Sequence, residues 1–385
     1  MGDPDLLIVA GEASGDLHAA RLLSALEARL GPSREPLRAF GLGGEELRRA
    51  GLETLADSAE ISVVGIVEVA KIYRRARQIF DQLLAEVDRR GATTAILVDF
   101  PEFNLRLARE LRKRDVRVVY YISPQIWAWR KGRVRTIARD VDLMLVLFPF
   151  EVDFYRQHDV EVVHVGHPLV DEVPQLEQAW DRVEAAGGIE ASEPLRLAVL
   201  PGSRPSEVRA LLPTLIAAAE RIAAQRSVAV RLIAAPTVPD QLFDELLDGA
   251  GLPVERVSAE RFRAVADSHL AFCASGTATL ETALLGTPMI VVYKLKRTSY
   301  WLARWLVDLP YFCMVNLVLD RPAVPELLQN AAEPEAIARR ALDLVADDAA
   351  VRRMRADLSA LRPALGSSGA SERAAAAVLE RLGWN

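Results

Sequence analysis

The feature that most constrains this chain is an alternation, run twice, between short uninterrupted apolar stretches and longer segments of helical period. In the first run, Leu6–Ala10 is followed by a glycine-containing turn and a helical pattern from Leu17 to about Leu30. Ala95–Val98 and Arg117–Ile122 flank the helical segment Asn104–Arg114, and Asp142–Phe148, a helix near Glu151–Gln157 and Val162–Val165 follow. A polar, glycine-containing stretch from Asp171 to Glu193 interrupts the pattern, which then resumes. Leu195–Leu200, Val228–Ala234, Leu270–Cys273 and Pro288–Tyr293 read as strands, with helices over Pro205–Gln225 and Ser275–Leu285. An alanine-rich helix is predicted near Ser371–Leu382. Strands this apolar imply parallel sheets covered on both faces, that is, an α/β fold of two doubly wound halves. The expected organisation is a first domain over 1–170, a linker over 171–193, a second domain over 194–365 and a terminal helix over 366–385. Ligands in such sheets bind beyond the carboxyl ends of the strands, so the expected site is a cleft between the halves.

Composition excludes several classes. The 385 residues carry 53 Asp and Glu against 47 Lys and Arg, a net charge of −6, which argues against a general nucleic-acid binder. An apolar content of 51% excludes a disordered chain. Cys273 and Cys313 form no disulfide framework and fit a reducing compartment. The first residues, Met1-Gly2-Asp3-Pro4-Asp5, are acidic where a signal peptide would be basic. No stretch reaches the roughly 18 apolar residues of a membrane span. A cytoplasmic protein, at most attached to a membrane surface, is expected.

Four strand-end loops carry candidate chemistry. Gly11-Glu12-Ala13-Ser14-Gly15-Asp16 follows the first strand and opens a helix, where free N–H groups can hold an anion. It matches neither a dinucleotide nor a Walker loop, and Glu12 and Asp16 stand where a nucleophile elbow needs glycines. A tight turn with a capping aspartate is the plainer reading. In Val98-Asp99-Phe100-Pro101-Glu102-Phe103-Asn104, an apolar strand runs into Asp99. Partial desolvation there would raise the carboxyl pKa and suit a general base. Glu102 and Asn104 could merely cap the next helix. In Leu200-Pro201-Gly202-Ser203-Arg204, Gly202 permits close backbone approach and Arg204 offers a fork suited to phosphate. In Cys273-Ala274-Ser275-Gly276-Thr277-Ala278-Thr279-Leu280-Glu281, small residues open a helix whose N–H groups, with the Ser275 and Thr277 hydroxyls, can receive phosphate. Glu281 suits a sugar diol better than a phosphate. The last two loops together describe a nucleoside-diphosphate pocket.

Asp140-Val141-Asp142 imitates a metal-binding D-x-D pair but precedes a strand instead of ending one. His164 and His167 lack a third metal ligand nearby, so no metal site is expected. Residues 106–135 hold ten Lys or Arg against Glu110 and Asp115, which is either a solvated helix face or a site for an anionic ligand or surface. Two stretches mix apolar and basic groups as a membrane interface would: Val64, Ile66 and Val67 ahead of Arg74 and Arg75, and Lys294, Lys296 and Arg297 ahead of Trp301 and Trp305.

Taken in order, the first, second, third and fourth loops resemble the lipid-A-disaccharide synthase family. So do Val64-Gly65-Ile66-Val67-Glu68-Val69, Tyr121-Ile122-Ser123-Pro124-Gln125-Ile126-Trp127-Ala128-Trp129-Arg130 and Val165-Gly166-His167-Pro168. The resemblance runs from residue 6 to about 330. It implies a GT-B glycosyltransferase fold, two Rossmann-like domains facing a cleft. It also implies inverting transfer from UDP-2,3-diacylglucosamine to 2,3-diacylglucosamine 1-phosphate, giving a β(1→6) disaccharide and UDP without a required metal or other cofactor. By residue matching, Asp99 would be the base that takes the acceptor 6-hydroxyl proton, and Glu12 and Ser14 would line the acceptor side. Ser203, Arg204, Ser275, Gly276, Thr277 and Glu281 would hold UDP, with Asn316 near the phosphates. Phe100 and Glu102 depart from the family, where a small residue and Asp are common. Peripheral contact with the cytoplasmic face of the inner membrane and a homodimer are further expectations. A UDP-sugar epimerase on the same scaffold, and a non-catalytic nucleotide-sugar sensor, are the competing readings.

Overall fold

The computed structural model describes residues 5–31, 37–61, 69–129, 131–186, 188–189, 194–294 and 310–384. Val64, Ile66, Val67, Trp301 and Trp305, expected at a membrane surface, lie outside the described residues. The chain divides into two compact units, Met1–Pro168 with Gly366–Asn385, and Leu169–Leu365.

The first unit holds seven strands: β1 (Leu6–Ala10), β2 (Ala39–Gly43), β3 (Glu53–Asp57), β4 (Thr94–Val98), β5 (Arg117–Tyr121), β6 (Leu143–Val146) and β7 (Val162–His164). Their order is β3-β2-β1-β4-β5-β6-β7, every pair parallel. Side chains alternate across the sheet. Leu7, Val9, Leu97, Val118, Tyr120 and Met144 face a core that includes residues of the helices Val69–Arg90, Pro101–Arg112 and Val134–Asp140. Leu6, Ile8, Ile96, Val98, Val119 and Tyr121 face the opposite core, with Leu22, Leu23 and Leu26 of the helix Ala13–Leu30. The terminal helix, Ala370–Leu382, joins that second core through Ala374, Ala375, Val378, Leu379 and Leu382. Both faces are therefore dry, which is why β1 and β4 are apolar at almost every position.

The second unit holds β8 (Leu195–Leu200), β9 (Val228–Ile233), β10 (Val254–Val257), β11 (Leu270–Ala274), β12 (Met289–Tyr293) and β13 (Glu326–Leu328). The order is β10-β9-β8-β11-β12-β13, again parallel throughout. The helix Pro205–Ala223 buries Leu211, Leu212, Leu215 and Ile222. Residues 171–193, expected as a linker with a short helix, contain the helix Ala179–Ala186, and it is built into this unit. Its buried Trp180 donates Nε1–H to the His269 carbonyl at 2.6 Å.

Each sheet has one position where strand order reverses, between β1 and β4 in the first unit and between β8 and β11 in the second. The loops leaving those two strands diverge to opposite faces, and a crevice opens between them. All four candidate loops leave one of these four strands.

Candidate active site

In the first unit, Ala10 is paired with Val98, so the Gly11–Asp16 loop and Asp99 leave the sheet side by side. Asp99 has φ 46° and Phe100 φ 50°, two consecutive non-glycine residues in the left-handed region. Such a pair is costly and persists only where its surroundings enforce it. Here Tyr120 donates its hydroxyl to the Asp99 carbonyl at 2.6 Å, Asn104 Nδ2–H donates to the same carbonyl at 2.8 Å, and Asp99 N–H donates to Tyr121 O at 2.9 Å. Asn104 also donates to Val98 O, at 3.1 Å, so it pins the strand end as well as starting the helix. The Phe100 ring lies over Gly11, where a Cβ would come within 2.3 Å of it. A glycine at position 11 is what lets the two loops close together.

Burial, then the nearby Glu12 carboxylate, pushes the Asp99 carboxyl up from 3.8 to about 6, against the lowering effect of the Phe100 N–H. Asp99 is half-buried, and Glu12 and Ser14 are exposed on the neighbouring loop. Near neutrality this places an ionised but basic carboxylate at the crevice, a suitable proton acceptor. Asp16 has a different job. It accepts from Gly44 N–H at 2.6 Å, Glu46 N–H at 2.9 Å and Leu47 N–H at 3.3 Å, so it caps the helix Glu45–Arg49 rather than its own. Glu102 is occupied by Arg133, with Nη2 at 2.7 Å and 3.0 Å from its oxygens.

The segment after β5 is held from below by a buried acid that inspection of the sequence does not single out. Glu151 accepts from Trp127 Nε1–H at 3.1 Å and Phe148 N–H at 3.0 Å, and burial pushes its carboxyl up to about 7. Ser123 bonds the Tyr155 hydroxyl at 2.7 Å. His167 packs on Phe148, and burial together with His18 and His164 pushes it down to about 3, so it is neutral. His164 Nε2 meets the Leu147 carbonyl at 3.1 Å. Asp140 pairs with Arg139, and Asp142 accepts from Val118 N–H at 2.8 Å. No group of three or more His, Cys, Asp or Glu among the described residues is arranged for a metal.

In the second unit, Leu200 pairs with Cys273, and the loops that follow enclose a cavity of 260 Å³. Gly202, Ser203, Arg204, Ser275, Gly276, Thr277 and Glu281 all line it. Gly202 has φ 116°, and a Cβ there would fall 2.7 Å from the Glu207 carboxylate, which also accepts from Ser203 N–H at 3.3 Å and pairs with Arg204 at 3.1 Å. Thr237 donates to Ser203 O at 2.6 Å from the neighbouring strand end. Gly276 opens the helix Thr277–Leu284, which has no side-chain cap; Thr279 N–H already donates to Gly276 O at 3.0 Å, and the N–H groups before it are left without intrahelical partners. Ser275 donates its hydroxyl to Phe312 O at 3.1 Å.

Glu281 is raised by burial above the ordinary carboxylate value and is partly offset by Arg261, 3.3 Å away. Arg261 lines the cavity too, although no motif announces it, since it lies 20 residues from its partner. Glu207 is likewise absent from the sequence reading, and its i+3 spacing to Arg204 is the signal that could have found it. Asn316 is placed differently from the expectation of a phosphate contact. It is buried outside this cavity lining, and its amide is used up by Val324 N–H, Val324 O and Glu326, at 2.9, 2.9 and 2.7 Å. Its structure-holding role follows from Glu326, which also accepts from Phe312 and Cys313 N–H at 2.9 and 3.2 Å and so fixes the carbonyl that Ser275 uses.

Of the expected membrane-facing cations, Arg74 is exposed and Arg75 pairs with Glu60 at 2.7 Å. No helix among the described residues is long and apolar enough to cross a membrane.

Comparison with known proteins converges on one answer. A family model described as lipid-A-disaccharide synthetase matches residues 6–380. A lipid-A-disaccharide synthase of Myxococcus xanthus is 43% identical over 380 residues, covering 98% of each chain. One of Anaeromyxobacter sp. (strain K) is 44% identical over 376 residues, covering 97% of this chain and 96% of the relative. Among solved structures, the calicheamicin glycosyltransferase CalG4 aligns with TM-score 0.59 at 17% identity over 100% of this chain and 99% of that one. MurG of Acinetobacter baumannii aligns with TM-score 0.58 at 11% identity over 98% and 99%. A putative UDP-N-acetylglucosamine 2-epimerase of Listeria monocytogenes aligns with TM-score 0.65 at 11% identity over 100% and 98%. The structural likenesses establish the GT-B type of fold, and the sequence matches establish that this chain belongs to the lipid-A-disaccharide synthase family.

Proposed function

We propose that the protein joins UDP-2,3-diacylglucosamine to 2,3-diacylglucosamine 1-phosphate, giving the β(1→6) lipid A disaccharide 1-phosphate and UDP. The observation that carries the mechanism is the carboxyl of Asp99, raised to about 6 at the switch point of its sheet. Asp99 takes the proton of the acceptor 6-hydroxyl. The oxygen attacks the donor anomeric carbon, and the bond to the diphosphate breaks with its electrons leaving on UDP. One base behind the sugar and a stabilised leaving group suffice for inversion, in contrast to the two carboxyls of hydrolases.

Charge on the departing diphosphate is met by Arg204, by the free N–H groups at Gly276 and Thr277, and by the Ser203 hydroxyl, and Ser275 joins them by turning its hydroxyl away from Phe312 O. Arg204 must exchange Glu207 for phosphate, a trade favoured by the greater charge of the diphosphate. Glu281 receives the ribose diol. Glu12 and Ser14 contact the acceptor, and Glu12 also keeps Asp99 basic. In this reading no cofactor takes part, since the UDP-sugar is itself a substrate. Acyl chains on both substrates support a peripheral position on the cytoplasmic face of the inner membrane, with Arg74 and Arg75 toward anionic headgroups. A homodimer is part of the same proposal.

The test is incubation with the two acylated sugars and mass detection of the disaccharide. Asp99→Ala is expected to lower transfer at least about a hundredfold while UDP still binds, the usual range for loss of a general base. Unchanged turnover removes Asp99 from its role. Epimerisation of a plain UDP-sugar, with no disaccharide, overturns the transferase reading. Sedimentation with anionic vesicles tests the membrane position.

A further inference from the structure

Resting on that reading, we propose that a second cavity of the first unit, between the helices Pro101–Arg112 and Val134–Asp140, is the subsite for the 1-phosphate of the acceptor. The cavity measures 340 Å³ and is lined by four arginines, Arg106, Arg109, Arg133 and Arg139, and by Glu102. Two of these charges are already balanced. Arg133 is held by Glu102 at 2.7 Å and Arg139 by Asp140. Arg106 and Arg109 make no ion pair or side-chain hydrogen bond with any other described residue. The surplus is two positive charges, and a phosphate monoester carries about −1.5 to −2 near neutral pH. Two forked donors facing one cavity suit the oxygens of such a group.

The position ties this cavity to the reacting atoms. Pro101, which lines it, is two residues beyond Asp99. The Tyr120 hydroxyl, bonded to the Asp99 carbonyl at 2.6 Å, feels the charge of Asp99 first and those of Arg133 and Glu102 more weakly. Arg106 lies one and a half helical turns past Pro101, about 7.5 Å along the axis. In this proposal the acceptor lies across the start of the helix, its 6-hydroxyl at Asp99 and its anomeric phosphate one sugar ring away, toward Arg106 and Arg109. Of the run of basic residues over 106–135, Arg106, Arg109 and Arg133 line this cavity, whereas Arg112, Lys113 and Arg114 pair with carboxylates elsewhere.

The experiment uses the full-length chain, the double variant Arg106→Gln with Arg109→Gln, and acceptors with and without the 1-phosphate. On the phosphorylated acceptor the variant should show KM raised about tenfold or more with kcat little changed, the pattern of lost uniform binding. On the acceptor without phosphate the gap between variant and wild type should close, and Arg→Lys at both positions should restore part of the loss. An unchanged KM, or an equal loss on both acceptors, overturns the proposal. So does a variant that loses binding to phosphatidylglycerol vesicles, relative to phosphatidylcholine, while keeping its acceptor KM, because the cavity would then serve a lipid headgroup. Titration with glucosamine 1-phosphate against glucosamine separates this idea from the transferase reading. If the wild type forms no disaccharide, that reading fails, and the cavity still stands or falls on whether phosphate-dependent binding exists and is lost in the variant.

Discussion

Asp99 stands in an environment that works against its own ionisation, and that cost is measurable. Its carboxyl is raised from 3.8 to about 6 by burial and by Glu12. A group whose folded pKa is raised contributes stability that is complete below its unfolded pKa and is lost as pH climbs through the folded value. At alkaline pH the ionised side chain therefore costs roughly 3 kcal/mol or somewhat less. Asp99→Asn removes the charge, keeps the shape and suits a positive φ. Urea unfolding should show the variant more stable than wild type at pH 8, with the difference shrinking toward zero near pH 4. No gain at pH 8 would mean the carboxylate is better solvated than its surroundings imply. The same shift sets the acid limb of the transfer rate, which should fall as pH drops through about 6. Glu12→Gln removes the like charge, so the limb should move to lower pH. Burial is the larger cause, and the limb should stay above the ordinary aspartate value. A limb that stays in place separates Glu12 from Asp99.

The short helix Glu45–Arg49 shows how an element too weak to stand alone is fastened to the site. Five residues cannot repay their own nucleation. Asp16 supplies the missing partner by accepting three N–H groups from Gly44, Glu46 and Leu47, two of them buried. Asp16→Ala strips the cap and leaves those donors unsatisfied, so unfolding of the first unit should cost about 2–4 kcal/mol less. Asp16→Asn retains one acceptor oxygen and should lose less. Equal stability for all three chains would show that water replaces the carboxylate at no cost. The same corner marks where the sequence stops being legible. Central strands β1, β4, β5, β8, β11 and β12 are visible as apolar runs because both faces are covered. β2 reads Ala-Phe-Gly-Leu-Gly and was missed, since Gly41 has no room for a side chain, with its Cβ position 2.0 Å from Ile8 O. The edge strands β3, Glu-Thr-Leu-Ala-Asp, and β10, Val-Glu-Arg-Val, keep polar residues on faces open to water and lose the signal in the same way. Site residues that end a strand were legible. Arg261, Glu151 and Tyr120 were not, because their partners are distant in sequence and only the fold brings them together.

At the scale of the whole chain, the second unit is an insertion in the first, which begins at Met1 and resumes at Gly366. The two crossings leave the first unit at neighbouring points, since a Cβ on Gly366 would lie 3.1 Å from the Gly166 Cα. The ends of the second unit are likewise tied to each other. Arg362 donates to Val170 O and Val173 O, both at 3.0 Å. Each unit also closes its own sheet and its own core, the conditions under which an inserted domain folds by itself. The donor chemistry follows the same division, because all the residues lining the 260 Å³ cavity belong to the second unit. Residues 169–365 expressed alone should therefore fold cooperatively and bind UDP within a few-fold of the full chain. Joining Pro168 to Gly366 through a short linker should give a folded first unit that binds the acceptor headgroup and no UDP. Neither piece should transfer sugar. Calorimetric titration of each with UDP decides the matter. A folded second unit that no longer binds UDP would mean that Arg204, Ser275 and Thr277 need a group supplied by the first unit, and the assignment of leaving-group stabilisation to one unit alone would be wrong.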